Sequence, residues 1–440
     1  QGLGRGAKQP FPSLGTFIST LSQRRDAREL PPICSDVRQK QRLSIDTLPP
    51  EVKAPFPSDP IIPLRTKTTK EFEDMERAVQ SGDWREVREF YLTTFDSFIE
   101  INAAFKREAN GSFNTIDDSG VNAKFVNAVY DALLSTQPQD IQKSVLKGII
   151  NSLLREWKPR TKDDLRAYFI LVQNPQYSST STYVIYAHLL RQIAALSEAD
   201  HHFLVHWLKR LSARRFRQLV ERLLQFISTR LFPAEPDELP PLAKCSWWIP
   251  SATKVLSLFN SVSSPPIMPF TDFYNITLEH IDFMEEYRTW QNYGNSNFSF
   301  CQFPFILSTV VKKAIIQKDS EQQMISQARQ SLVSKVSRRQ RVDMNLLFLN
   351  IKVRRAQLLS DSLDELTRKR CDLKKKLRVT FVGEAGLDMG GLTKEWFLLL
   401  VRQIFHTDYM FTYMKDSRCH WFSSWKCDNY SEFQLVGTVS

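Results

Sequence analysis

The sequence has no long apolar run and few cysteines. The longest apolar run next to a helix, Trp396 to Val401, is far shorter than the about 20 residues that a membrane span needs. A chain of 440 residues does not depend on disulfides for stability. We therefore expect a reducing, cytoplasmic setting, with the nucleus as a further compartment. The cysteines are scattered along the chain: Cys34, Cys245, Cys301, Cys371, Cys419 and Cys427.

Length and composition predict more than one folded unit. A chain of 440 residues exceeds what one core usually supports, and its hydrophobic content of 42% is ample for packed interiors. The 59 Lys and Arg residues exceed the 48 Asp and Glu residues, but the excess is spread along the chain. This favours solvated faces over a nucleic-acid footprint. The opening residues lack an apolar signal core, and a first residue other than Met predicts a processed chain or a fragment.

Residues 1–66 are predicted to be a disordered, proline-rich basic tail. They mix prolines with Arg, Lys and Ser and show no sustained hydrophobic period, so they cannot bury enough apolar surface to offset the entropy of ordering. The prolines are Pro10, Pro12, Pro31, Pro32, Pro49, Pro50, Pro55, Pro57, Pro60 and Pro63.

Residues 67–340 are predicted to form an irregular all-α array without a fixed-length repeat. Apolar residues recur at helical spacing, and proline-bearing loops separate the helical segments. The first two helices are expected on either side of the break Ser81-Gly82-Asp83. Their apolar stripes are Phe72, Met75, Ala78 and Val79, then Trp84, Val87, Phe90 and Tyr91.

Two long helices are predicted over residues 303–341 and 345–376, and no alternating strand is expected before residue 377. After Lys376 the hydrophobic period changes from about four to two. Leu377, Val379 and Phe381 then share one face, which predicts the first strand.

A glycine-rich stretch, "VTFVGEAGLDMGGLTKEWF", follows this strand and resembles a phosphate-binding loop in layout. The chain has only 14 glycines, yet four of them lie between positions 383 and 391. Gly386 and Gly391 have the separation of a Walker loop, but Leu392 stands where that loop needs a lysine. The dinucleotide pattern also fails, because no two of these glycines are spaced by one residue. Nucleotide binding is therefore not favoured.

The structural interpretation of the same stretch is a tight turn from strand to helix. We expect Gly383 and Gly386 to adopt positive φ, and Asp388 to cap the following helix. Gly390 and Gly391 would allow a close backbone contact near the helix start. That helix would bury Leu392, Trp396, Phe397, Leu399, Leu400, Val401 and Ile404.

The stretch also resembles the segment near the start of the HECT catalytic domain of ubiquitin ligases. The family pattern is an alternating strand, Gly-Glu-x-Gly-x-Asp-x-Gly-Gly, and a helix that begins with a basic residue, Glu and aromatics. "VRRAQLLSDSLDEL" is similar to the first HECT helix, and "HWLKRLSARRFRQLVERLLQFISTR" is similar to a helical region that precedes HECT in some of these ligases. The matched positions are Gly383, Glu384, Gly386, Asp388, Gly390, Gly391, Lys394, Glu395, Trp396 and Phe397.

The resemblance implies a mainly α protein whose helical array leads into the opening strand and helices of a HECT N-lobe, an α+β unit. It implies ubiquitin and a ubiquitin-conjugating enzyme as partners, and ubiquitin transfer through a cysteine thioester to a substrate lysine, without a cofactor. That cysteine would lie in a C-terminal lobe beyond Ser440, so residues 341–440 are expected to be an incomplete N-lobe and the chain alone to be inactive. Its last hundred residues are then expected to pack poorly, with Phe433, Leu435 and Val436 lacking partners.

Two functional hypotheses follow. In the first, the chain is part of a HECT-type ligase whose region 67–340 recruits substrates or adaptors. In the second, it is a non-catalytic helical interaction module that competes with the complete ligase for its partners.

Other reactive side chains favour packing or solvent exposure over catalysis or metal binding. Cys419, His420 and Cys427 lack a fourth zinc ligand at a usual spacing. Cys371 lies among basic residues, which a solvated helix face explains. His201, His202 and His206 fall near one helix turn of each other, but no carboxylate or cysteine of matching spacing accompanies them. No catalytic or metal residue is therefore assigned.

Overall fold

A computed structural model describes most of the chain after residue 84. The described residues are 73, 76–78, 80–83, 85–107, 116, 118–135, 137–156, 162–262, 266–292, 297–406, 410–423 and 430–439. They separate into two compact units, one up to Lys312 and one from Lys313. The predicted tail 1–66 and most of the predicted stripe from Phe72 to Val79 lie outside the described residues.

The first unit is helical. Its helices are α1 (Arg85–Thr94), α2 (Phe98–Phe105), α3 (Ala123–Ser135), α4 (Gln139–Arg155), α5 (Lys162–Leu171), α6 (Tyr183–Ala194), α7 (Glu198–Leu208), α8 (Ala213–Leu231), α9 (Trp248–Asn260) and α10 (Phe283–Gln291). Short 3-10 turns, including Pro175–Ser178, connect several of them.

Local signals in the sequence account for where several of these helices begin and end. Ser81 is the last helical residue before Gly82, whose φ is +72°, so the predicted break is confirmed. The continuous helical spacing between residues 201 and 232 is divided into α7 and α8, because the Ser212 side chain accepts a hydrogen bond from Arg215 N and begins a new helix.

Aromatic residues dominate the core of the first unit, and some of their polar atoms form hydrogen bonds to the backbone. Tyr91 and Tyr130 are 0% and 1% exposed, and their hydroxyls donate to the carbonyls of Val129 and Ile170 at 2.8 Å. These bonds satisfy groups that would otherwise be costly to bury. Large side chains therefore connect helices that are far apart in the sequence.

The second unit combines helices with two small sheets. Its elements are the part of α11 (Thr309–Ser337) after Lys312, then β1 (Phe348–Val353), α12 (Leu358–Arg368), β2 (Lys376–Phe381), α13 (Gly391–His406), β3 (Phe411–Met414), β4 (Cys419–Phe422) and α14 (Ser431–Val439). The pair β1 and β2 is parallel, with Phe348 opposite Lys376 and Val353 opposite Phe381. The pair β3 and β4 is antiparallel.

The strand β1 corrects the predicted second long helix. Leu349, Ile351 and Val353 alternate with more exposed residues and are each at most 1% exposed. This period of two is visible in "LNIKV", but it is short and adjoins a helical pattern. The helix itself is confined to Leu358–Arg368. The predicted strand after Lys376 is confirmed, with Val379 and Phe381 buried.

The second unit has a packed core, so the expectation that its end lacks packing partners is wrong for the described residues. Leu435 of α14 is 4% exposed and belongs to the same buried cluster as Val353, Phe381 and Trp396, and Phe433 and Val436 pack against that cluster. The final helix therefore finds its apolar contacts within the unit.

None of the helices in the described ranges is long and apolar enough to cross a bilayer.

Candidate functional site: the glycine-rich turn before α13

The turn between β2 and α13 is organised around the carboxylate of Asp388. This half-buried side chain accepts hydrogen bonds from the backbone N–H groups of Gly390 at 2.8 Å, Val379 at 2.9 Å and Thr393 at 3.3 Å. The Thr393 hydroxyl also bonds to it. One carboxylate thus connects the strand, the turn and the first turn of the helix.

The sequence predicts Asp388 as the N-cap residue of α13. In the structure Asp388 still caps this helix with its side chain, but it lies two residues before the N-cap position. Lys394 N donates to the carbonyl of Gly390, so Gly390 occupies the N-cap position. Burial of Asp388 opposes its ionisation, but the bonds from Thr393, Val379 and Gly390 outweigh that effect and lower its pKa below the ordinary value of 3.8. The carboxylate is therefore charged at neutral pH, next to the positive end of the helix dipole.

The predicted roles of the glycines are confirmed at Gly383 and wrong at Gly386, Gly390 and Gly391. Positive φ occurs at Gly383 (+86°) and Gly390 (+108°), whereas Gly386 does not adopt it. A Cβ atom on Gly390 or Gly391 would meet no atom within 4 Å, so the expected close backbone contact is absent at both positions. The need for glycine at 383 and 390 is conformational.

The geometry of the turn argues against phosphate binding. A phosphate at a helix start is held by free backbone N–H groups, and here the Asp388 carboxylate accepts from the N–H groups of Gly390 and Thr393. A second anion at this place would be repelled by that carboxylate. The turn is therefore built as a structural connection.

The guanidinium of Arg355 attaches the turn to the helix from outside. Arg355 follows β1, forms an ion pair with Glu384 in the turn, and reaches Glu395 of α13 at 2.8 Å. It also stacks over the Phe381 ring, with 4.1 Å between Cζ and the ring centroid. Arg355 lowers the pKa of Glu384 through this hydrogen bond. All three charged side chains remain more than 40% exposed, so the pairs mainly orient the turn.

The aromatic residues of the motif lie on α13. Trp396 is fully buried, and its indole N–H donates to Ser362 Oγ of α12 at 2.9 Å. Phe397 is half-buried and packs edge-to-face against Trp396. Lys394 is exposed. Of the ten matched positions, Gly386, Gly391 and Lys394 therefore have no contact role in this arrangement that distinguishes them.

Sequence reasoning missed two polar groups that support this site. Arg354 pairs with Asp361 at 2.8 Å, and this hydrogen bond lowers the pKa of Asp361 to about 2. Glu365 has a side chain only 9% exposed and accepts from Lys369 at 2.7 Å. Charged residues at a spacing of four, such as Glu365 and Lys369, were the available signal for the second group.

The cysteines and histidines considered above are not arranged for catalysis. Cys419 and His420 are successive residues of β4, so their side chains leave opposite faces of the hairpin. Cys245 and Cys301 are buried, and burial raises the pKa of the Cys301 thiol to about 11. Cys371 is exposed in a 3-10 turn. Cys34 and Cys427 lie outside the described residues.

The histidines of α7 are packing residues. His201 Nε2 donates to the carbonyl of Ile193 at 2.7 Å, and His202 is 2% exposed. Burial, with a smaller contribution from His206, lowers the pKa of His202 to about 4. Over the residues that the structure places, no three His, Cys, Asp or Glu side chains are grouped to hold a metal ion.

A pair of glycine substitutions tests the backbone roles. Gly390→Val should lower the free energy of unfolding by about 1–3 kcal/mol because valine cannot adopt φ near +108° without strain. Gly391→Val is the matched control and should cost less, since its φ is not positive and the space around it is open. Urea unfolding would compare the two variants. In thermal shift, Mg-ATP should leave the melting temperature of all three proteins unchanged; equal losses in both variants would contradict the assignment.

Comparisons with known proteins relate the whole chain to ubiquitin ligases. It is 70% identical over 463 aligned residues to probable E3 ubiquitin-protein ligase HECTD2 of Homo sapiens and 68% identical to that of Mus musculus, with all of this chain aligned. It is 31% identical over 336 residues to probable E3 ubiquitin-protein ligase mug30 of Schizosaccharomyces pombe, which covers 73% of this chain and 40% of that protein. The chain spans 60% of the length of the HECTD2 proteins. No protein-family model matches it.

Proposed function

Because the chain is homologous over its whole length to HECT-type E3 ubiquitin ligases, we propose that it supplies two non-catalytic parts of such a ligase. The helices of the first unit recruit substrates or adaptors. The unit that contains β1, β2 and α13 opens the N-lobe, within the predicted range 341–440. The cytoplasm, with the nucleus as a further compartment, is the proposed location, in line with the scattered cysteines.

One observation carries this proposal: the ten matched positions fall on the turn that follows β2 and on the first part of α13, and side-chain contacts connect β2, this turn and the helix. Asp388 bonds to both β2 and α13, and Arg355 joins Glu384 of the turn to Glu395 of the helix. Residues that the resemblance singled out by sequence alone are therefore joined by physical contacts. An accidental match would not require Asp388, Glu384 and Glu395 to take part in the same connection.

The proposed chemistry needs a nucleophilic sulfur. In HECT-type transfer, a cysteine thiolate accepts ubiquitin from the conjugating enzyme as a thioester, and the substrate lysine amine then attacks that thioester. Within the described residues, two cysteines are buried and the exposed Cys371 and Cys419 have no histidine placed to take their protons. We therefore propose that the reacting sulfur is supplied by a part of the ligase other than these cysteines.

The proposal is tested with a product of the same gene that continues past Ser440 and contains a further cysteine. Incubated with activating enzyme, conjugating enzyme and ubiquitin, that longer product should form a ubiquitin adduct that a reductant removes. Replacing its additional cysteine by alanine should abolish the adduct, with an exposed cysteine of the present chain, Cys371, replaced as the control. A longer product that never forms the adduct would overturn the ligase proposal.

The second candidate is a non-catalytic interaction module. It is supported by the first unit, which is helical throughout its named elements and has its own aromatic core. Adding an excess of the 440-residue chain to the longer product should then reduce ubiquitination of its substrate by competition for the shared partner. Unchanged substrate ubiquitination at saturating chain concentration would rule this candidate out.

A further inference from the structure

Arg222 of α8 carries a positive charge that lacks a carboxylate partner. Its Nε–H donates to Ser178 Oγ at 3.2 Å, while Nη1 is buried and has no hydrogen-bond acceptor among the described residues. The groups that face it are the hydroxyls of Tyr130, Tyr177 and Tyr186 and the guanidinium of Arg215. Burial lowers the pKa of Arg222, which reflects the loss of water around the charge.

An unpaired buried N–H on a charged group is unfavourable, so the site is incomplete as the chain alone builds it. Leaving such a donor without an acceptor costs about 1–3 kcal/mol. The neighbouring Arg215 shows the usual solution, since it pairs with Asp131 at 2.5 Å. The hydroxyls of Tyr177 and Tyr186 beside Arg222 are also buried without a partner. Three unused donor groups thus lie at the same place.

Arg222 lines a cavity that can admit a ligand. The cavity has a volume of about 590 Å³ and lies between α3, α8 and the 3-10 turn Pro175–Ser178. Asn127 and Gln218 are half-buried in its wall, and neither amide has a hydrogen-bond partner among the residues that are placed. Side-chain amides can pair with both the N–H and the C=O of a peptide. Glu221 also lines the cavity but is exposed.

We propose that this cavity binds a side-chain carboxylate from an acidic segment of a partner protein. The carboxylate pairs with the Arg222 guanidinium, and the amides of Asn127 and Gln218 hold the adjoining peptide backbone. Guanidinium and carboxylate form parallel hydrogen bonds, which makes the pairing selective for planar acids. The Asp131 carboxylate does not replace the ligand, because it already pairs with Arg215.

The biological meaning of this binding site rests on the proposed recruiting role of the helical unit, but the binding itself does not. Binding is measured without ubiquitin or a conjugating enzyme. A negative result would therefore remove the acidic ligand and leave the ligase proposal standing.

The test uses the full 440-residue chain and two labelled peptides, one rich in glutamate and one in which every glutamate is replaced by glutamine. Fluorescence anisotropy at physiological ionic strength would give the affinities. The glutamate peptide should bind saturably, and Arg222→Met should weaken it at least about tenfold. Arg214→Met removes the same charge from an exposed position of the same helix outside the cavity lining, and should change the affinity less than about twofold.

Three further measurements test the proposal: binding of the glutamine peptide, binding by Asn127→Ala and the stability of Arg222→Met. The glutamine peptide should bind at least about tenfold more weakly than the glutamate peptide, and Asn127→Ala should weaken the glutamate peptide without affecting the fold. Without peptide, Arg222→Met should be as stable as the wild type because it removes an unpaired buried charge. Absent binding, equal binding of both peptides, or full binding by Arg222→Met would overturn the proposal. Unfolding of Arg222→Met would also contradict it, since the guanidinium would then have a stabilising partner in the chain.

Discussion

Trp396→Ala should destabilise the second unit by about 3–5 kcal/mol. Trp396 is fully buried in the cluster that joins β1, β2, α12 and α13, so alanine leaves a cavity within this cluster. The substitution also leaves Ser362, which is 0% exposed, without its indole donor. A loss of this size is a large part of the stability of a typical domain.

Hydrogen exchange read by mass spectrometry would measure the loss unit by unit. In Trp396→Ala, peptides from residues 348–406 should exchange faster, and peptides from α8 should keep their protection. Leu398→Ala is the matched control, because Leu398 lies on the same helix but is 52% exposed. It should change stability by no more than about 0.5 kcal/mol. Similar losses in both variants would show that Trp396 is not the centre of this core.

Asp388→Ala should cost about 2 kcal/mol, because it removes the group that accepts one backbone N–H bond from β2 and two at the start of α13. Asp388→Asn should cost less. Its carbonyl oxygen can still accept from Gly390 and Thr393, whereas its NH2 group cannot accept from Val379 N. Urea unfolding of the three proteins would give this order; an alanine variant as stable as the wild type would contradict the role of Asp388.

The same residue predicts a dependence of stability on pH. Its folded pKa lies below the ordinary value of 3.8, so its contribution is fully present above the unfolded pKa and is lost as the pH falls through the folded pKa. The difference in unfolding free energy between wild type and Asp388→Asn should therefore be constant near neutrality and shrink below about pH 4. A difference that grows on acidification would reverse the assigned direction of the pKa shift.

Much of this structure is predictable because its signals are local. Helical spacing locates most helices, serine caps mark the starts of α2, α7 and α8, and the period of two after Lys376 locates β2. The missing lysine at Leu392 argues against a phosphate loop without any coordinates. Asp388 is also recognisable from its residue type just before an apolar helix.

The remaining features depend on residues that are distant in the sequence. β1 is short, and its strand conformation depends on pairing with β2 across an intervening helix. The two carboxylates that pair with Arg355 lie 29 and 40 positions away in the sequence. The unusual environment of Arg222 is formed by three tyrosines from other elements. The sign of the backbone angle φ also differs between two neighbouring glycines, since Gly390 has positive φ and Gly391 does not. No local pattern encodes these relations.

The most direct test of the ligase account is to charge the 440-residue chain itself with activating enzyme, conjugating enzyme and labelled ubiquitin. The products are separated with and without reductant. We predict no reductant-sensitive adduct on this chain, because its described cysteines are buried or lack a base. An adduct that disappears when Cys371 or Cys419 is replaced by alanine would contradict the account, since the reacting sulfur would then lie within the chain.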